Sequence, residues 1–265
     1  MKKWCASALL CAALLLGPSA QAAGSVLVDG APLENNASAQ VRNNTTYVSL
    51  RTVAQALRPT ATVVWENGQA IVRDSTLSLT ARPGSIYIAA NDRAIYLPDG
   101  VLLEDGCTLV PVRALASALG AQVDWDADTG TVYITSGAAA FAAYDSNSLY
   151  WLSRIISAES QGESLLGKIA VGNVVLNRVA SAEFPDSIYG VIFDDRWGGQ
   201  FEPVRNGSIY QEPTEESVLA AKLVLEGASV AGNSLYFLSP SLTSNHWIMN
   251  SRPYVMTIGC HWFYA

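Results

Sequence analysis

Asp145-Ser146-Asn147-Ser148-Leu149-Tyr150-Trp151-Leu152-Ser153-Arg154-Ile155-Ile156-Ser157-Ala158-Glu159-Ser160-Gln161-Gly162 decides how the second half of this 265-residue chain folds. Its first four residues are good helix N-caps, because a short polar side chain accepts a hydrogen bond from a free amide of the first turn. Leu149, Leu152 and Ile156 follow at spacings of three and four, so they share one helical face, and Glu159 continues the row. Gly162 is the expected stop. The spacing therefore predicts a carboxyl on an apolar face in a last helical turn, where burial and the negative end of the helix dipole both disfavour its charge. A carboxyl kept protonated near neutral pH is what a glycosidase needs as its general acid. A Glu159 paired with Arg154 or Lys168, or left at a solvated helix end, is the plainer alternative.

Downstream, Ser164 caps a second predicted helix over about residues 165–180, with Leu166, Ile169, Ala170, Val174 and Asn177 in one stripe. Asn173 shares that face, and both amides need partners from the backbone or from a ligand. Pro213-Thr214-Glu215-Glu216 opens a third helix that Gly227 closes. Residues 234–238, 246–248, 254–258 and 261–264 then read as short strands. Helices first and strands last favour an α+β unit over a doubly wound sheet.

Upstream, Thr135-Ser136-Gly137-Ala138-Ala139-Ala140 begins a small-residue linker, taken as residues 136–144. Before it the sequence repeats. Tyr47-Val48-Ser49-Leu50-Arg51 returns as Leu109-Val110-Pro111-Val112-Arg113, an offset of 62, and Val63-Val64-Trp65 returns as Val123-Asp124-Trp125, an offset of 60. Each copy predicts a strand, a short helix starting near Arg51 or Arg113, and a hairpin turning at Glu66-Asn67-Gly68 or at residues 126–130. Both arginines are expected to pair with local carboxylates.

Met1-Lys2-Lys3, an apolar run and Ala20-Gln21-Ala22 have the layout of a signal peptide over residues 1–22, so export is expected, with the product secreted, extracellular or wall-associated. Without Lys2 and Lys3 there remain 14 basic side chains against 23 acidic ones, which argues against nucleic acid or an anionic membrane as partner. No later stretch reaches the ~18 apolar residues of a spanning helix. Cys107 and Cys260 remain after residue 22, and two buried thiols in separate cores are expected rather than a bridge.

The doubled pattern over about residues 25–135, with Val110-Pro111-Val112-Arg113-Ala114-Leu115 and the Val-x-Trp hairpins, resembles the copper amine oxidase N-terminal-like domain. That resemblance implies a stalk domain, taken as residues 23–135, with a spacer or wall-presenting role. No copper is expected, because both histidines lie after residue 240.

Ala158-Glu159-Ser160-Gln161-Gly162-Glu163, the run Gly167 to Val179, Phe184-Pro185, Gln200-Phe201-Glu202-Pro203, Leu235-Tyr236-Phe237, Trp247, Ser251-Arg252-Pro253 and Ile258-Gly259 resemble the SleB/CwlJ-type cell wall hydrolases. The resemblance implies a lysozyme-like or lytic transglycosylase-like α+β domain, taken as residues 145–265, acting on peptidoglycan, with spore cortex lysis among the family's roles. It implies Glu159 as the catalytic acid. Glu163, Asn177, Gln200, Phe201, Tyr236, Trp247 and Arg252 are the residues expected to bind substrate. A single carboxyl suffices for a lytic transglycosylase. A two-carboxylate muramidase would add one of Glu163, Asp186, Asp194, Asp195 or Glu202. No cofactor or metal is expected. The rival amidase chemistry usually uses zinc, and His246, Cys260 and His261 lack metal-ligand spacing. A non-catalytic wall-binding protein is the other alternative.

Overall fold

The computed structural model describes residues 21–22, 25–33, 39–137, 144–242 and 247–265. Most of the expected signal peptide, residues 138–143 of the expected linker, and His246 lie outside them.

In the N-terminal half the repeat is visible as two units. Strands β1 (Val26–Val28), β2 (Gln40–Arg42) and β3 (Thr45–Ser49) lead directly into helix α1 (Leu50–Leu57). The hairpin of β4 (Thr62–Glu66) and β5 (Gln69–Arg73) follows, and it turns through Asn67 and Gly68, both at positive φ, as the Asn-Gly pair predicts. Strands β6 (Ser78–Ala81), β7 (Tyr87–Ala90) and β8 (Arg93–Tyr96) extend that hairpin into an antiparallel meander ordered β8-β7-β6-β5-β4. The repeat pattern did not predict these three strands. The second unit is β9 (Leu102–Glu104), β10 (Cys107–Pro111), helix α2 (Val112–Leu119), and the hairpin of β11 (Ala121–Asp126) and β12 (Thr131–Ser136).

The two units meet at β3 and β10, which pair antiparallel with Val48 opposite Val110. Those two valines are equivalent in the repeat, so a local twofold passes between them. Arg58 ties the helices together from the end of α1 by donating to Leu119 O at the end of α2, at 3.2 and 3.3 Å. Arg51 donates to the carbonyl of Val63 at 2.9 Å, not to the carboxylate expected of it.

The C-terminal half opens with three helices whose starts match their caps. Asp145 accepts from Ser148 N at 2.7 Å and begins α3 (Ser146–Ser160); Ser164 begins α4 (Leu165–Ala180). After the short α5 (Ile188–Ile192) and α6 (Glu202–Asn206), Thr214 caps α7 (Glu215–Leu225). Ile155, Ile156, Ile169, Val175, Ala221 and Leu223 are fully buried where α3, α4 and α7 pack. Leu166 is an exception to the predicted stripe, being 38% exposed at the first turn of α4.

Strands β13 (Tyr236–Leu238), β14 (Tyr254–Ile258) and β15 (His261–Tyr264) form an antiparallel sheet ordered β13-β15-β14. Phe263 seats this sheet on Ala170 and Val174 of α4. Where a strand over residues 246–248 was expected, Trp247–Ser251 is instead helix α8, whose last turn is closed by Ser251 donating to Trp247 O. The order of helices followed by strands is that of an α+β unit.

The halves also touch. Ala94 of β8 belongs to the same buried cluster as α3 and α7, with Tyr87 and Tyr96 packed against it. Above that contact Arg93 makes a two-point ion pair with Glu226, 2.6 Å at each of Nε and Nη2. Its Nη1 donates to Ser117 O of α2 at 3.2 Å. Both charges are largely shielded from water, and removing one leaves the other poorly solvated. Arg93→Ala is expected to cost about 2 kcal/mol in urea denaturation, and exchanging the charges as Arg93→Glu with Glu226→Arg is expected to recover part of it.

Candidate active site

Glu159 emerges from the last turn of α3, three residues beyond the buried Ile156, as the apolar row requires. Neither cation proposed as its partner reaches it. Arg154 pairs with Glu212 at 2.6 Å, and Lys168 pairs with Glu216 at 2.8 Å while also donating to the carbonyls of Gln161 and Glu163. Burial pushes the Glu159 carboxyl up to about 7; Arg178 opposes that shift and Glu202 adds to it.

The carboxyl opens into a cavity of about 770 Å³. Of the residues expected to bind substrate, Gln200, Phe201, Tyr236, Trp247 and Arg252 line it together with Glu159. Glu163 and Asn177 do not. Asn177 donates its amide to Gly232 O and Ser234 O, both at 2.9 Å, and Asn173 holds Ala228 O and Val230 N at 2.6 and 2.7 Å. Both amides therefore fasten α4 to the loop before β13.

Glu163 accepts from Cys260 N at 3.2 and 3.3 Å, and its carboxylate stands 3.8 Å from His261 Nδ1. It is packed so closely against the β14 to β15 turn that a Cβ on Gly259 would lie 1.8 Å from its Oε2. The Gly259 φ of +59° also suits glycine. Glu163 is thus an anchor for that hairpin. Cys260 lies at the exposed tip, before the strand, so the expected buried thiol in a strand is not found there; both Cys107 and Cys260 are free.

Two arginines that alternate with aromatic rings form the wall. Arg178, in the last turn of α4, donates Nε to Leu235 O at 2.7 Å and lies 4.9 and 5.0 Å from the ring centres of Phe184 and Phe201. Arg252 lies over Tyr236 at 4.6 Å and near Trp247 at 5.5 Å, and donates Nη2 to the Tyr236 hydroxyl at 2.9 Å. These spacings fit cation–π contacts. Among the described residues, Arg178 Nη1 and Arg252 Nε are buried without a hydrogen-bond partner. Buried donors are seldom left so, and here the packing behind the cavity wall leaves hydrogen-bonding capacity unused. Burial also lowers the Arg178 pKa to about 10, which leaves it charged at neutral pH.

Of the candidate second carboxylates, Asp194 and Glu202 line the cavity, whereas Asp186 and Asp195 do not. Asp194 accepts from Arg196 Nε and Nη2 at 2.8 Å each, and these bonds hold its carboxyl below the usual range. The cavity thus holds one carboxyl biased toward its neutral form and another held ionised. Arg178, Phe184 and Asp194 were not singled out as binding residues by sequence. Arg178 had one usable signal, its place four residues after Val174 on the buried stripe of α4. Among the described residues, no group of three His, Cys, Asp or Glu is placed to hold a metal ion.

The raised pKa of Glu159 couples to folding. From its ordinary value of 4.5 up to about 7, the folded chain binds more protons at this position than the unfolded one. Stability from this group is therefore whole below pH 4.5 and is lost as pH rises through about 7, a total of about 3 kcal/mol. Thermal melts across pH 4 to 8 are expected to show this slope in the parent minus that of Glu159→Gln. Parallel curves would contradict the burial argument.

Residues 162–264 match the sequence profile of the Cell Wall Hydrolase family, beginning three residues after Glu159, and residues 27–134 match that of the Copper amine oxidase N-terminal domain. A spore cortex-lytic enzyme of Bacillus cereus is 38% identical over 120 residues, 45% of this chain and 45% of that protein. The cell wall hydrolase CwlJ of Oceanobacillus iheyensis is 33% identical over 95 residues, 34% of this chain and 66% of that protein. The chain thus spans less than half the length of the spore cortex-lytic enzymes it matches. Among solved structures, the catalytic domain of the germination-specific lytic transglycosylase SleB from Bacillus anthracis aligns with a TM-score of 0.43 at 36% identity, covering 48% of this chain and all of that one. The two profile matches, one in each half, make this a chain with a cell wall hydrolase domain at its C-terminus, preceded by a copper amine oxidase N-terminal-like domain.

Proposed function

We propose that the chain degrades peptidoglycan by cutting the glycan strand after N-acetylmuramic acid, as a lytic transglycosylase or muramidase, with Glu159 as the general acid. The observation that carries this reading is a carboxyl whose pKa burial raises to about 7, inside a cavity walled by arginines and aromatic rings. Tyr236 and Trp247 offer flat faces for sugar rings. Arg178 and Arg252 suit the carboxylates of muramic acid or of the peptide stem.

In the transglycosylase route, the Glu159 proton passes to the glycosidic oxygen as its bond to C1 of muramic acid breaks. The C6 hydroxyl of the same sugar then closes on C1, and its proton returns to the Glu159 carboxylate, leaving a 1,6-anhydro ring. The muramidase route would instead use Asp194 or Glu202 as the second carboxylate. The spore cortex-lytic relatives support a role in cortex lysis. We further propose that residues 145–265 form the catalytic unit and residues 23–135 a presenting unit. Residues 1–22 would direct export, placing the product outside the cell or at the wall. Since Ala94, Tyr87 and Tyr96 complete the helical core, the catalytic unit uses part of its neighbour as a floor.

Mass spectrometry of products from purified sacculi tests the chemistry. Anhydromuropeptides are expected; reducing ends would indicate a muramidase, and free peptide stems would overturn the reading in favour of an amidase. Glu159→Gln keeps size but removes the proton, so release of soluble product is expected to fall by about 10²-fold or more with the fold retained. EDTA is expected to leave activity within a factor of about two, because the proposed route uses side-chain acids alone. Loss with EDTA and recovery with zinc would revive the amidase.

A further inference from the structure

Each copy of the N-terminal repeat encloses a groove outside the catalytic half. One, of about 540 Å³, lies between Arg51 at the start of α1, Val63 and Trp65 of β4, and the β9–β10 hairpin. The other, of about 350 Å³, lies between Arg113 at the start of α2, Val123 and Trp125 of β11, and the β2–β3 hairpin. The match holds residue by residue. Arg51 corresponds to Arg113 at the offset of 62, and Val63 and Trp65 correspond to Val123 and Trp125 at 60. Thr45 and Thr46 in one groove stand where Cys107 and Thr108 stand in the other. Each groove is built from the helix and hairpin of one unit and the leading hairpin of the other, so the twofold at Val48 and Val110 relates them.

The chemistry of these grooves is unusual for a spacer. Trp65 and Trp125 are 50% and 57% exposed, although an indole is a large apolar surface that folding ordinarily covers. Leaving one out is unremarkable; leaving both out at equivalent positions, each beside an exposed arginine, is a repeated pattern. The bond from Arg51 Nη1 to Val63 O tethers its guanidinium to the strand two residues from Trp65. Val63 and Trp65 share a strand face, so each groove presents an apolar plane with a cation at its edge. A flat ring face bordered by a fixed cation suits a pyranose that carries a carboxylate. Two such sites, each flanked by one hairpin of the sheet in which β3 pairs with β10, suit a polymer that repeats that unit.

We propose that the two Trp-Arg grooves are a paired glycan-binding site that holds a peptidoglycan strand while the cavity at Glu159 cuts it. The identity of the polymer rests on the function proposed above; the grooves themselves do not. The two separated sites contribute additively to the binding free energy, so losing one weakens retention modestly and losing both multiplies the two losses.

The test is co-sedimentation of the full-length Glu159→Gln chain with purified sacculi, so that cutting does not consume the probe. Trp65→Ala and Trp125→Ala are each expected to weaken retention by about threefold, and the pair by about tenfold. Trp65→Tyr with Trp125→Tyr, which keeps a stacking face, is expected to bind within about threefold of the Glu159→Gln chain. Melting curves identify any variant that has lost its fold, and the two single alanine variants carry the test if the pair does not fold, both sedimenting like the Glu159→Gln chain then overturning the proposal. The proposal is overturned if the folded alanine pair sediments like the Glu159→Gln chain, if the folded tyrosine pair loses as much as the alanine pair, or if the Glu159→Gln chain itself fails to sediment. Should the unmutated chain release no soluble product while the tryptophan pair still controls sedimentation, the cleavage reading falls and the grooves stand.

Discussion

The C-terminal half depends on how closely three helices cross at Gly172. A side chain there would meet Ile156 Cδ1 of α3 and Val224 Cγ2 of α7, each at 2.9 Å, so only hydrogen lets the helices approach. That contact sets the rotation of α3 against α4. Glu159 lies three residues beyond Ile156, and Arg178 lies six beyond Gly172, so the crossing directs both toward the same cavity. The amides of Asn173 and Asn177 then fix the loop before β13 to α4, and this brings Tyr236 into the cavity wall beside Arg178. A site made from the ends of helices and one strand is accurate only because the crossing behind it is rigid.

The electrostatics follow from each carboxyl's surroundings rather than from residue type. Glu159 and Asp194 are both carboxylic acids on one cavity wall, yet burial raises the first and the Arg196 fork lowers the second. Arg178 limits how far Glu159 rises, since a nearby cation favours the ionised form. The result is an acid that changes protonation state near neutral pH, where a proton can be both given and recovered.

Much of this was legible in the sequence, and the failures have physical causes. The caps Asp145, Ser164 and Thr214 and the row ending at Glu159 depend only on local geometry, so they could be read directly. The repeat gave both hairpins and the helices between them. Strands β6 to β8 have no counterpart in the second unit, so the repeat could not announce them. Trp247 and Ile248 favour strands, but they line the cavity from a helical turn in which Ser251 donates to Trp247 O. Glu163 looked like part of the site because it is one turn from Glu159. The helix ends at Ser160 with Gln161 as its cap, and beyond it Glu163 bonds to the β14 to β15 hairpin instead.

That last packing has a consequence for how the sequence can change over time. Glu163 and Gly259 are 96 positions apart, yet each defines the shape the other must have. A larger residue at 259 is blocked while the carboxylate stays, and a shorter residue at 163 strands the Cys260 amide without its acceptor. Neither position can drift alone, so the two behave as one inherited character. A descendant that alters the hairpin tip must cross both changes together, which leaves the tip resistant to gradual variation despite its exposure.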